Sequence, residues 1–405
     1  MLQALSDRDF RLLWLARSTS MLGSWLLVVA VPFQVLELTG SAMAAGLTLA
    51  AEFLPPVLLG PIAGVLVDRW DRRRVMIAAD VLRAVAVSAL LFVRDPADLW
   101  LVYVALVAES VGTLAFRPAA QAHLPVVVGT GPLLSSANSL NSFTDGVVRL
   151  AGAPLGGVLM GVVGFPALVW IDVAGYALSA FAIVKTAKLV GDRGEPGGVR
   201  RILAELVEGF AFLRGERMAM GLLVVNTLFL GANASLTVLL APFGAQELGG
   251  SGPTGLAMSG LGIGFLIGAP PVRYLVDRVP TRYLLAGAPA ATAVGFVLLF
   301  RSTSLIGALP AAVLIGVFGS AVLVTTQTAL QRATPNAVLG RVSGVVFTGE
   351  AVATFAGAVL GSALVEVTSI PVTAYLAAAA TSLSGVLALL VVPSPPAGTP
   401  RHDPS

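Results

Sequence analysis

Gly64-Val65-Leu66-Val67-Asp68-Arg69-Trp70-Asp71-Arg72-Arg73-Arg74 packs six charges between two long apolar runs. The chain is 56% hydrophobic and 12% charged, with a mean hydropathy of +0.89. A water-soluble protein of that composition would expose hydrocarbon over most of its surface. Such a charged cluster therefore belongs where the polypeptide leaves a bilayer, and its arginines assign that exit to the cytoplasmic side.

Working outward from this loop, apolar runs long enough to span, about 20 residues each, occur at 11–37, 42–67, 75–93, 97–116, 135–163 and 166–186. Six more lie at 217–246, 254–276, 283–300, 305–327, 340–365 and 371–392. The expected fold is an all-α membrane protein of twelve spans in two six-helix halves, 1–186 and 217–392. A polar linker, 187–216, joins them, and a proline-rich tail, 393–405, is expected to be disordered. With both termini inside, every Arg and Lys but Arg94, Arg301, Arg17, Arg83 and Arg149 falls on the cytoplasmic side. The first span reads as a retained anchor, and the chain as a multi-pass protein of the cell membrane. In the linker, Ile202, Leu203, Leu206, Val207, Phe210 and Leu213 recur at helical spacing with Arg201, Glu205 and Glu208 between them. That pattern predicts an amphipathic helix lying on the cytoplasmic face.

The halves repeat one another. Asp68-Arg69 with Arg72 returns as Asp277-Arg278 with Arg282, again between the second and third span of its half. The fifth spans align as well. Over Asp145–Leu159 and Glu350–Leu364, seven of fifteen positions are identical, and an acid opens both. Repeated halves are the plan of carriers that alternate access around a midplane site.

Composition excludes several chemistries. There is no cysteine, hence no disulfide, thiolate or cysteine-held metal. His123 and His402 are too few and too far apart for a zinc motif. Lys185 and Lys188 follow no glycine-rich loop, so no Walker motif supplies energy from ATP. The pI of 9.6 follows from membrane topology and needs no nucleic acid. No nucleophile–base pair marks an enzyme, no cofactor is expected, and a monomer is.

Gly-x-x-x-Asp-Arg-x-x-Arg-Arg at Gly64–Arg73, Asp9-Phe10-Arg11-Leu12-Leu13-Trp14, Leu38-Thr39-Gly40-Ser41, Phe116–Pro125, Ala137-Asn138-Ser139-Leu140, Leu330-Gln331 through Pro335 and Gly340-Arg341-Val342 recur in order. Together they resemble the enterobactin-exporter and macrolide-efflux branch of the major facilitator superfamily, nearly end to end. The resemblance implies that Gly64, Asp68, Arg69, Arg72 and Arg73, with Asp277, Arg278 and Arg282 in the second copy, gate the carrier. Their charges would pair across to the other half and latch the outward-facing form. Two departures stand out. Gly23 is followed by Ser24 where that branch often has Asp, and Gly152-Ala153-Pro154-Leu155-Gly156-Gly157 shifts the proline of the helix-five antiporter motif by one place.

Intramembrane acids are candidate pathway residues, since a charge at mid-bilayer is costly unless paired or facing water. Asp145 and Glu350 lie ten residues into their predicted spans, about 15 Å at 1.5 Å per residue. Asp145 has Arg149 one turn on, a spacing that lets them pair. Glu350 has no basic neighbour at i±3 or i±4 and reads as the better proton carrier. Glu109 and Glu52 are further candidates, Glu52 because it precedes the Pro55-Pro56 bend. Asp80 and Arg83 read as a structural pair associated with the loop motif, and Asp172 as interfacial at the outer end of the sixth span. Small-residue ladders at Gly60/Gly64, Gly152/Gly156, Gly157/Gly161, Gly260/Gly264/Gly268 and Gly357/Gly361 are expected to form the seam between halves. The reading that joins these features is proton-coupled export of amphipathic small molecules. A carrier of one metabolite, siderophore-like or lysolipid, without proton coupling is the alternative, and a transporter-like sensor or scaffold is the reading from another class.

Overall fold

The structure is a computed structural model that describes residues 2–68, 70–129, 131–186 and 199–393, the side chains of 2–3, 61–68, 132, 199–203 and 336–337 excepted. Six helices come first: α1 Arg8–Thr39, α2 Ala42–Asp68, α3 Arg72–Ser88, α4 Leu99–Val128, α5 Pro132–Val163 and α6 Phe165–Lys185. A connecting helix, α7 Val199–Gly215, precedes α8 Arg217–Thr237, the short α9 Leu240–Phe243, α10 Ser251–Leu275, α11 Thr281–Phe300, α12 Leu305–Ala333, α13 Asn336–Val367 and α14 Ile370–Val391. Twelve of the described helical segments are long and apolar enough to cross a membrane.

Local chemistry sets the ends. Asp7 caps α1 by accepting from the Phe10 backbone N–H at 2.8 Å, and Gly40 ends it in the left-handed region at φ 68°. Asp71 caps α3 in the same way, accepting from Arg74 N–H at 2.8 Å, so one charge of the opening loop is a helix cap. Gly164, at φ 81°, turns α5 into α6 with no further linker residue.

The same pairing scheme appears twice. In the first set α1 packs on α5 and α6, α3 on α4 and α6, and α2 on α4. In the second α8 packs on α13 and α14, α11 on α12 and α14, and α10 on α12. Between the sets, α2 meets α13 and α5 meets α10.

The hydrophobic clusters divide by depth. Towards the face bearing the chain termini, each belongs to one set: Ala16, Val75, Met76 and Phe116 in one, Leu213, Leu222, Leu285 and Val342 in another. Towards the opposite face they cross between sets. Ala50 of α2 joins Leu239, Phe243 and Ala358, while Ala241 joins Leu27, Phe33 and Val35 of α1. The molecule is therefore sealed on the face opposite its termini, with the short α9 as part of the seal.

The fourth span is longer than expected. It runs to Val128 rather than 116 because Pro118 and Pro125 are carried inside the helix. Arg117, read from the sequence as a cytoplasmic loop residue, is consequently inside a helix. The linker helix also departs from expectation. Gly209 of α7 abuts the Arg341 carbonyl of α13, Glu208 pairs with Arg341 at 2.8 Å, and Leu213 is fully buried. One face of α7 is thus docked on α13 rather than on lipid, leaving Val207 and Phe210 exposed.

Candidate functional site: the central cavity

Between the two sets lies a cavity of about 1410 Å³ that runs from Phe10, Gln121 and Asn138 near the terminal face to Phe33 and Thr254 near the sealed one. Glu52, Glu109, Asp145, Arg149 and Glu350 all line it, so five residues spread over almost 300 positions converge on one space.

Their partners come largely from other helices. Asp145 does not pair with Arg149. Its Oδ2 accepts from Arg17 Nη2 of α1 at 2.6 Å, and Arg149 lies instead over the Trp25 ring, 5.8 Å from its centroid. The physical reason is packing: α1 lies directly against α5, so a guanidinium presented across the interface reaches the carboxylate that the i,i+4 neighbour does not. Glu109 Oε1 accepts from Tyr176 hydroxyl of α6 and Thr113 hydroxyl of its own helix, both at 2.9 Å. The Tyr176 oxygen is also 2.8 Å from Ser24 Oγ, which places Ser24 in the same chain of bonds. Glu350 Oε1 accepts from Asn226 Nδ2 of α8 at 2.7 Å. Glu52 has no described side-chain partner, and the charges of Glu109 and Arg117 act on it.

In the cavity wall, Arg83 is clamped between the rings of Phe116 and Tyr176, 4.4 and 4.5 Å from their centroids, and is paired with Asp80. Ser179 hydroxyl donates to Asp80 Oδ2 at 2.6 Å. This cluster ties α3, α4 and α6 together. Asp172 is not interfacial: it is 1% exposed, packed directly on Gly23 of α1, with Oδ1 lacking a partner. The glycine at 23 lets α6 come close enough to bury a carboxyl that length counting alone puts near the surface.

The loop motif is described only in part. Arg69 and the surroundings of Gly64 and Asp68 lie outside the described residues. Arg72 Nη1 donates to the Ala122 carbonyl at 2.9 Å, and Arg73 donates to the carbonyls of Ile183 and Val184 at the end of α6. Arg73 therefore neutralises the C-terminus of α6 and Arg72 binds a carbonyl inside α4, both within their own set rather than across to the other. In the second copy Asp277 pairs with Arg332 of α12 at 2.7 Å, Arg278 lies on the Tyr274 ring, and Arg282 meets the Tyr283 hydroxyl.

The glycine seam needs the largest correction. Of the six fifth-helix glycines singled out, only Gly157 faces the other set, where a Cβ would stand 2.4 Å from the Ser251 carbonyl and 3.2 Å from Gly255, while a Cβ at Gly161 would meet nothing within 4 Å. Gly152 and Gly156 face Trp25 and Leu26 of α1, and Gly357 and Gly361 face Gly231 and Ser235 of α8. Gly260, Gly264 and Gly268 pack on α12. Sequence spacing identifies close helix contacts but not which neighbour is close. Residues that sequence reasoning passed over are Arg17, Arg117, Trp25 and Asn226. The signal was available for Arg17, because a cation inside a span is as exceptional as an acid, but not for Arg117, which fell just past the expected end of its span.

A comparison of the chain with known proteins agrees with this architecture. Residues 1–404 match the family described as transmembrane secretion effector. The chain is 34% identical over 228 residues to macrolide efflux protein A of Streptococcus pyogenes, covering 55% of each protein. It is 28% identical over 266 residues to the multidrug efflux pump Tap of Mycolicibacterium fortuitum, covering 64% of this chain and 65% of Tap. The chain spans about half the length of the first of these relatives. Among solved structures, it resembles a bacterial homologue of the iron transporter ferroportin in an inward-facing state, with a TM-score of 0.77, 18% identity and 95% and 98% coverage. The nucleoside transporter NupG resembles it to a similar degree, with a TM-score of 0.78, 12% identity and 95% and 100% coverage. Those two likenesses concern the fold. The match along residues 1–404 decides the family: the chain belongs to the transmembrane secretion effectors, a branch of the major facilitator superfamily of membrane transporters.

Proposed function

We propose that this protein exports amphipathic small molecules across the cell membrane by alternating access, as a monomer with both termini in the cytoplasm. The observation that carries this reading is the cavity itself. It is lined by apolar and aromatic surface with a few charges, lies between two sets of helices packed alike, and among the described residues is sealed by hydrophobic clusters that cross between the sets towards the face opposite the termini. That is the arrangement of a carrier open to the cytoplasm and ready to load. The relatives named as efflux proteins support export as the direction.

Proton coupling is the second part of the proposal, with Glu350 as the carrier. It faces the cavity from α13 and its described bond is to a neutral amide, so no cation holds it permanently ionised. Asp145, paired with Arg17, is placed in substrate binding or in structure, and Glu52 and Glu109 are alternative carriers. Arg72 and Arg73, which bond carbonyls of α4 and α6 in this form, are proposed to take part with Asp68 and Arg69 in a latch when the terminal face closes.

The test is uptake into everted vesicles of a panel of amphipathic compounds, with and without a pH gradient. Gradient-dependent accumulation above protein-free vesicles is expected for at least one compound class. Accumulation that ignores the gradient would favour the uncoupled metabolite carrier.

A further inference from the structure

Four arginines line the cavity, Arg17 of α1, Arg83 of α3, Arg117 of α4 and Arg149 of α5, and Arg83 is paired with Asp80. Arg17 has Asp145 as its partner. The other two form neither an ion pair nor a hydrogen bond among the described residues, although acids lie in the same cavity. The carboxylate nearest Arg149 in sequence, Asp145, is engaged across the helix interface, and Arg149 is left against Trp25. Glu109 is held by Tyr176 and Thr113 on the side of α6. The charges of Arg149, Glu109, Arg17 and Glu52 all act on Arg117.

A guanidinium stays protonated in any protein environment and offers a planar fork of N–H donors matched to carboxylate and phosphate oxygens. Arg117 and Arg149 both line one cavity, are exposed to it and form no ion pair among the described residues, so their N–H donors stand open to a ligand's own anion. We infer that Arg117 and Arg149 form an oxyanion subsite, so that this cavity takes soluble organic anions: one carboxylate or phosphate on an apolar, preferably aromatic, body. Trp25 supports the fork at Arg149, and Phe53 and Phe347 provide apolar wall elsewhere in the same cavity. This rests on the reading of the cavity as a substrate pathway, and narrows the substrates to a charge class.

The test uses one ring system with four charges. Full-length protein in phosphatidylcholine nanodiscs is titrated calorimetrically with 2-naphthoate, 2-naphthyl phosphate, neutral 2-naphthol and cationic 2-naphthylmethylammonium. At least one anion is expected to bind about tenfold or more tighter than the neutral and cationic probes, the worth of one charge-assisted hydrogen bond. Arg117→Gln and Arg149→Gln should each remove that advantage while 2-naphthol binds as before, which also reports that the variants are folded. Arg149→Lys should recover only part of it, because the fork is lost while the charge is kept. Equal binding of all four probes, preference for the cation, or no binding of either anion to folded protein overturns the subsite. Each of those results leaves export in vesicles to be judged separately, so the two readings fail independently.

Discussion

At the scale of single residues, the decisive contacts join side chains far apart in the chain. Asp145 with Arg17, Glu109 with Tyr176 and Glu350 with Asn226 each bridge two helices. Glu350→Gln keeps the bond to Asn226 but removes the titrating proton. Gradient-driven export should then fall to the level of protein-free vesicles while substrate counterflow survives. Wild-type export by this variant at an imposed pH gradient would pass the role to Glu52 or Glu109. Asp145→Asn should act differently. It leaves Arg17 with no described partner beside Arg117 and Arg149, and an unpaired cation within a packed bundle costs about 3 kcal/mol or more when one partner of a buried pair is removed. That pair is roughly a third exposed here, 37% and 27%, so solvent screening should reduce the loss to about 1 kcal/mol. A thermal unfolding scan in detergent would register such a loss, and an unchanged midpoint would place Asp145 in binding alone.

At the scale of helices, the glycines fall into two mechanical groups, which gives a sharper prediction than spacing alone. A side chain at Gly156 would collide with the Leu26 backbone, its Cβ 2.1 Å from that carbonyl, inside the first set. Gly361 is closed in the same way by Ser235 in the second. Gly156→Leu and Gly361→Leu should therefore destabilise their own set by about 3 kcal/mol or more, seen as lost expression and a lowered unfolding midpoint. Gly157 meets the other set at the sealed face, where Ser251 Oγ also donates to its carbonyl at 3.2 Å. Gly157→Leu should leave each set folded and prise the seal apart. Equal stability losses in all three variants would mean that the seam is not a separable contact.

At the scale of the whole molecule, rocking of two rigid sets makes a reciprocal prediction. The native chain lacks cysteine, so pairs can be introduced for spin labels without removing any. Labels at Arg94 and Arg301 report the sealed face, and labels at Ser135 and Gln331 the open one. In Gly157→Leu the first distance should grow by several ångströms while the second shrinks. Unchanged distributions at both faces would argue against rocking, and growth at both would indicate loosening of the bundle instead.

How much of this was legible beforehand follows from which interactions are local. The twelve spans, their ends and the duplication were readable because hydropathy, capping residues and repeated motifs act along the chain. Even so, α4 ran past its apolar stretch, since a helix continues through Pro118 and Pro125 once neighbouring helices enclose it. Most of the cavity acids were readable too, Asp172 excepted, because a charge within a span is conspicuous wherever it points. The choice of partners was not. Whether Asp145 meets Arg149 or Arg17, whether Gly156 faces the seam or α1, and whether Asp172 is buried or interfacial depend on how each helix is rotated and on what packs beside it. A sequence carries the spacing along one helix. The free energy of an ion pair or a glycine contact depends on a distance across two helices, and only the tertiary structure contains that distance.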